Sequence, residues 1–274
     1  MTQMRTRTVV DELIDVGGCH LHFSVIKGSE ITLVMEVGGG ADVSEYGTFL
    51  MDLAQGIGTT VVSYDRAGFG KSELPATPYN LIQEIDWFMN GLRQLVLDKN
   101  VILMGHSYGG WLIRLIASRY PEVVHGMVFI DPFTTEFVDL LGVDYLDRHP
   151  FCTKDLPFAE AKMEDLTMNQ RGSIRVVREG LGPKVEIMRQ TVIPKNIPAR
   201  IITSGKPWWK TSEEDFAWRK SHELMAASIP GAKLIIAEES DHLIPEKQPE
   251  IIIGVVRELI RLAKRSNSSD DFIL

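Results

Sequence analysis

The sequence predicts an α/β fold, a mainly parallel, doubly wound sheet of about eight strands with a helical insertion. Two patterns carry this. Apolar runs of strand length, bounded by turn residues, recur along the chain, and segments of helical period separate them. That alternation belongs to parallel sheets covered on both faces. A third observation marks the insertion: from Phe133 to Pro198 no strong strand run occurs.

Taken in order, "HLHFSVIKG" (20–28) alternates apolar and polar residues and reads as a half-buried edge strand. The runs "ITLVMEV" (31–37), "TTVVSYD" (59–65), "NVILMG" (100–105), "HGMVFID" (125–131), "ARIITSG" (199–205) and "AKLIIAEES" (232–240) are nearly continuous and read as buried strands. Between them, "SEYGTFLMDLAQG" (44–56) offers Ser44 as a helix cap and closes on glycine. In 81–98 a single stripe holds Ile82, Ile85, Phe88, Met89, Leu92 and Leu95. The helix of 111–122 ends at Pro121, and that of 248–265 has Pro249 in its first turn and basic residues in its last. Within the insertion, "TTEFVDLLGVDYL" and "FAEAKMEDL" are short helical patterns; an unstructured loop of that length would not suit a compact domain. The chain therefore divides into a core of residues 1–132 and 199–265, a helical cap of 133–198 over the C-terminal edge of the sheet, and a tail, 266–274, read as disordered or loosely docked.

At 274 residues the chain can bury a full core. Its net charge of −8, with lysines and arginines scattered among acids, argues against a nucleic-acid partner. No apolar run is long enough to cross a membrane, and the opening "MTQMRTRTVVDELIDV" lacks the apolar stretch of a signal peptide. Cys19 and Cys152 lie far apart without metal-ligand spacing. The expected setting is soluble and cytoplasmic, with neither a membrane nor a metal involved.

The stretch "LMGHSYGG" (103–110) carries the strongest chemical signal. A bare Gly-x-Ser-x-Gly is weak evidence, but here a strand precedes it and a helix follows, the setting in which a tight turn lifts a serine hydroxyl off a sheet. Ser107 is the candidate nucleophile, and the Tyr108 amide, beside a helix N-terminus, is an oxyanion donor. A serine hydroxyl needs a base. His242, in "EESDHLIPEKQPE", follows the last strand and reaches the same sheet edge. The other histidines fit less well: His106 adjoins the serine, His20 and His22 sit on the early edge strand, His125 enters a strand from the wrong end, and His149 and His222 read as solvated. The orienting acid is harder to place. After "ARIITSG" no carboxylate comes before Glu213, whereas Asp131 stands at a strand end before Pro132. Asp131 is the choice, with Glu213, Asp215, Glu239 and Asp241 as rivals, and with strand–loop closure as its ordinary alternative role. A second oxyanion donor is expected from "VGGGAD" (37–42), with Gly39 as the residue; the plain alternative is a flexible turn before a helix.

With these pieces the chain resembles the α/β-hydrolase superfamily, in its capped, serine-nucleophile form, over almost its whole length. The resemblance rests on "GHSYGG", on "SYDRAGFGKS" after the fourth strand, on "FIDP" after the sixth and on "SDHLIP" as the histidine loop. It departs from the family in three places. Val37-Gly38 stands where His-Gly is common, giving an "E-x-G-G-G" loop in which Glu36 pairs with Arg66 or else is solvated or backbone-bonded. The acid usual after the seventh strand is missing, as in a minority of the family with an acid at the position of Asp131. Lys206, Trp208 and Trp209 fill that region. A serine at the elbow argues against the aspartate-dependent haloalkane dehalogenases and epoxide hydrolases. The resemblance implies a cofactor-free serine hydrolase acting on a small molecule, first of all a carboxylic ester, with Phe133, Phe137, Leu140, Leu141, Phe151 and Phe158 as lining for an apolar part or as glue between cap and core. Lactone, carbon–carbon bond or proline-amide hydrolysis, acyl transfer, and ligand binding without turnover remain alternatives.

Overall fold

The computed structural model describes residues 8–142, 145, 167 and 181–270, with the backbone alone from 266 onward. Eight strands form one sheet: β1 (Val9–Asp15), β2 (His20–Ile26), β3 (Ser29–Glu36), β4 (Thr59–Tyr64), β5 (Val101–His106), β6 (Val124–Ile130), β7 (Ala199–Ser204) and β8 (Lys233–Ala237). Their order is β1-β2-β4-β3-β5-β6-β7-β8, antiparallel through β1, β2 and β4 and parallel thereafter. Every residue of β4, β5 and β7 is buried, as their unbroken apolar runs require.

The helices are α1 (Gly47–Ile57), α2 (Leu81–Gln94), α3 (Gly109–Arg119), α4 (Thr135–Leu141), α5 (Gly182–Gln190), α6 (Ser212–Ser228), the single turn α7 (Ile244–Lys247) and α8 (Pro249–Asp270). On one face of the sheet, Phe49, Leu50 and Leu53 of α1 and Ile252, Val256 and Leu259 of α8 join Leu33, Met35 and Ile102. On the other, Ile85, Phe88 and Leu92 of α2 and Leu112 and Ile116 of α3 join Phe23, Val34 and Leu103. From β3 the chain crosses outward to β4 and returns to β5 on the other side of β3. That reversal opens a crevice at the C-terminal ends of β3 and β5, where open α/β sheets place their ligands.

Four readings need correction. β1 is the edge strand and β2 its inner neighbour; only Ile14 of β1 is buried, so "VVDELID" shows little of a core pattern. The cap before α1 is Asp42, whose carboxylate accepts from the Ser44 N–H and opens a 3-10 turn, Val43–Tyr46. α6 was not anticipated, because its buried face carries Asp215, Ser221 and His222 beside Ala217, Trp218 and Met225 and so hides its apolar period. Finally, α8 runs to Asp270, so the backbone is helical into the stretch read as a disordered or loosely docked tail. Of the insertion, α4 and α5 are helical, while "FAEAKMEDL", Phe151, Phe158 and His149 lie outside the described residues.

Candidate active site

At the end of β5 the chain turns so sharply that Ser107 takes φ +53°, a left-handed conformation costing a side chain roughly 1–3 kcal/mol. Close approach dictates its glycines: a Cβ on Gly105 would lie 2.4 Å from the Gly109 carbonyl oxygen, and one on Gly109 2.3 Å from that of Glu36. The turn is held to β6 on both sides, since the Ser107 N–H donates to the Ile130 carbonyl (3.0 Å) and its carbonyl accepts from the Phe133 N–H (2.9 Å). Tyr108 stands at the N-terminus of α3. Gly39 comes to the same place, where a Cβ on it would lie 3.4 Å from the Tyr108 Cβ.

Asp131, at the end of β6, is also left-handed, with φ +42°, and is fully buried. Its Oδ2 accepts from His242 Nδ1 (2.7 Å) and Trp218 Nε1 (2.9 Å), and its Oδ1 accepts from the Ser204 N–H (2.7 Å). Burial alone would raise the carboxyl's pKa. The hydrogen bond and charge of His242, with the Ser204 N–H, outweigh it and hold Asp131 well below the usual carboxylate range. An ionised Asp131 fixes the proton of His242 on Nδ1 and leaves Nε2 to accept another. The His242 ring stacks on Trp208 at 4.0 Å between centroids and meets His106 at 4.5 Å. The structure thus brings the expected serine, acid and histidine to one rim and bonds the last two. Among the described residues the Ser107 hydroxyl has no hydrogen bond, a contact that in unliganded sites often closes only with substrate.

The rival acids are engaged elsewhere. Asp215 accepts from the Trp208 and Trp209 backbone N–H groups (3.0 Å each), Glu239 pairs with Lys206, Asp241 pairs with Lys247, and Glu213 is exposed.

Three histidine and tryptophan roles escaped the sequence. His222, expected in solvent, is wholly buried: its Nε2 donates to the Pro132 carbonyl (2.7 Å) and its Nδ1 accepts from the Thr203 hydroxyl (2.8 Å). Burial pushes its pKa down, so it stands neutral 3.9 Å from Asp131. Trp218 and His222 both ride on α6, whose start is legible only as the capping box Thr211–Glu214. His106 does not reach back to the serine but links three loops: its Nε2 donates to the His242 carbonyl (2.8 Å), its Nδ1 accepts from the Tyr46 hydroxyl (2.5 Å), and the Tyr46 oxygen accepts from the Gly38 N–H (3.1 Å). Burial first, then the neighbouring His242, pushes the His106 pKa down to about 3, so the chain of bonds runs through a neutral ring.

Glu36 is neither paired nor solvated. It is 1% exposed, and neither carboxyl oxygen has a hydrogen-bond partner; Arg66 instead gives Nη1 to the Val37 carbonyl and Nη2 to that of Gly38, both at 2.7 Å. Of the apolar lining, Phe137 is buried among Trp209, Trp218 and Tyr145 and glues α4 to α6, Leu140 is exposed, and Phe133 packs on Trp111 beside the elbow. No group of three His, Cys, Asp or Glu among the described residues could hold a metal ion, and no described helix is long and apolar enough to cross a membrane.

Comparison with known proteins agrees with this fold. A model of the alpha/beta hydrolase family matches residues 35–255. The proline iminopeptidase of Saccharolobus solfataricus is 22% identical over 282 residues, covering 89% of each chain. Among solved structures, 2-hydroxy-6-oxo-6-phenylhexa-2,4-dienoate hydrolase from a Rhodococcus species superposes with a TM-score of 0.66 at 16% identity, covering 93% of this chain and 100% of its own. A structure from a study of Nitrososphaera gargenis carboxylesterases gives a TM-score of 0.65 at 15% identity over 94% and 100%. At such identities the two structures speak for the fold alone.

Proposed function

The chain belongs to the alpha/beta hydrolase family, and on that premise we propose that it is a serine hydrolase of carboxylic esters working through an acyl-enzyme on Ser107. The observation that carries the reading is the 2.7 Å bond from His242 Nδ1 to a buried Asp131, one strand away from a serine held at φ +53°.

In this reading His242 Nε2 takes the Ser107 proton as the hydroxyl oxygen attacks the ester carbonyl. Asp131 stabilises the resulting imidazolium, and the Tyr108 and Gly39 N–H groups receive the oxyanion. The tetrahedral intermediate collapses as His242 gives its proton to the departing alcohol. Water, activated by the same ring, then releases the acid and restores the serine. Every step uses groups of this chain, and the half-buried aromatic rings of Phe133 and Trp208 suit an apolar portion of the substrate.

The test is a panel of p-nitrophenyl esters of graded chain length run beside a lactone, a proline amide and a vinylogous diketone. The expected result is highest kcat/KM on an ester, lost at least about a thousandfold in Ser107→Ala. Turnover of the diketone, the lactone or the proline amide in place of the esters would move the reaction to that bond while keeping the same machinery. Ester turnover that survives Ser107→Ala would overturn the reading.

A further inference from the structure

The bonds of the loop after β3 assign its two glycines different tasks. The Gly38 N–H is already spent on the Tyr46 oxygen (3.1 Å), whereas no partner for the Gly39 N–H occurs among the described residues. The Gly38 carbonyl accepts from Arg66 Nη2 at 2.7 Å and, at the longer distance of 3.4 Å, from the Ala41 N–H, and the Val37 carbonyl accepts from Arg66 Nη1. A trans peptide is planar, with its C=O and N–H pointing in opposite directions. A guanidinium that draws in the Gly38 carbonyl therefore turns the Gly39 N–H to the face away from itself. We infer that Arg66 is a positioning residue for the oxyanion hole: its fork, closed on the Val37 and Gly38 carbonyls, aims the Gly39 N–H at the oxygen bound over Ser107.

The surroundings of Arg66 suit this task. It is 3% exposed, and its guanidinium stacks over Phe69 at 5.2 Å and over the ring of Tyr108, the other oxyanion residue, at 5.6 Å. One side chain thus braces both halves of the hole. Its nearest ion pair is a loose one, Nε to Glu84 at 4.0 Å, so both terminal nitrogens serve carbonyls. Burial pushes the Glu36 carboxyl up to about 8, which leaves it uncharged near neutral pH and unable to draw the fork off the loop. Lysine could not replace arginine here, because a point charge cannot hold two carbonyls in one plane. Tyr46, through Gly38, and Asp65, whose Oδ1 accepts from the Val43 N–H at 2.8 Å, pin the rest of the loop.

This inference rests on the serine-hydrolase reading, and the experiment separates the two. Arg66→Lys and Arg66→Met are compared with wild type on p-nitrophenyl acetate, with phenylboronate as a tetrahedral mimic and thermal melting as the check on folding. The expected result is a fall in kcat of about a hundredfold in both variants, the cost of one misaimed oxyanion donor. KM should stay within about threefold, and phenylboronate should weaken in step with kcat. Folded variants that keep kcat within about threefold, or lose only KM, would overturn the assignment of Arg66, while loss of activity in Ser107→Ala would still stand for the reading beneath it. Should the variants not fold, glycine-selective 15N spectra of the wild-type protein decide. Phenylboronate should move the Gly39 amide and leave the Gly38 amide in place; a moved Gly38 amide with a still Gly39 would refute the proposal.

Discussion

Asp131 and Glu36 are two carboxyls at the C-terminal ends of strands in one sheet, each almost without solvent, and their fates are opposite. Asp131 receives three N–H donors and is held well below the usual carboxylate range; Glu36 receives none, and burial pushes it up to about 8. Depth is the same, so depth does not decide ionisation. Donors do. Asp131 thus carries a fixed negative charge next to an imidazole while the loop after β3 carries none at Glu36, a division that suits the proposed chemistry, in which negative charge develops on a substrate oxygen beside that loop.

The contrast breaks most visibly at Asp131. In Asp131→Asn an amide N–H₂ would face donors from His242 and Trp218, the imidazole would lose its tautomer, and kcat should fall about 10³–10⁴-fold with the fold retained by circular dichroism. Near-normal turnover would mean that the charge on this side is not used. The next effect is on stability. Glu36, with Arg66, Glu84 and Tyr64 about it, holds its proton to about pH 8 when folded but only to about 4.5 when unfolded. Its contribution is therefore fully present below about pH 4.5 and lost as pH rises through 8, by about 3 kcal/mol between pH 5 and 8. Glu36→Gln should remove that slope, so that denaturant unfolding shows the variant gaining on wild type as pH rises; parallel profiles would contradict a buried neutral acid. The smallest effect is at Trp218→Phe, which takes one donor from Asp131. A hydrogen bond to a charged group is worth about 1.5–3 kcal/mol, so kcat/KM should drop about tenfold or somewhat more. Unchanged kcat/KM in a folded variant would show that Asp131 keeps its place without this donor and would reduce Trp218 to packing.

What the sequence made legible follows the same division. Strands β2 to β8, the elbow and the histidine loop announce themselves, because buried strands and a glycine-flanked serine leave local patterns. Asp131 could be named because a strand ends there. Its supports could not. Trp218 and His222 sit on a helix whose buried face is partly polar, with Trp218 bonded to Asp131 and His222 to the Pro132 carbonyl, and that polarity hides the apolar stripe by which helices are found. Likewise the charges in "E-x-G-G-G" and "DRAG" suggested an ion pair between Glu36 and Arg66, whereas the guanidinium goes to carbonyls, a partner that leaves no mark in a sequence.

The central claim, that His242 and its acid make Ser107 a nucleophile, is tested most directly by a fluorophosphonate with the adduct mapped by mass spectrometry. The account predicts a single adduct on Ser107, formed at least about a thousandfold more slowly in His242→Ala. A wild-type protein that takes no label, or takes it on another residue, would contradict it.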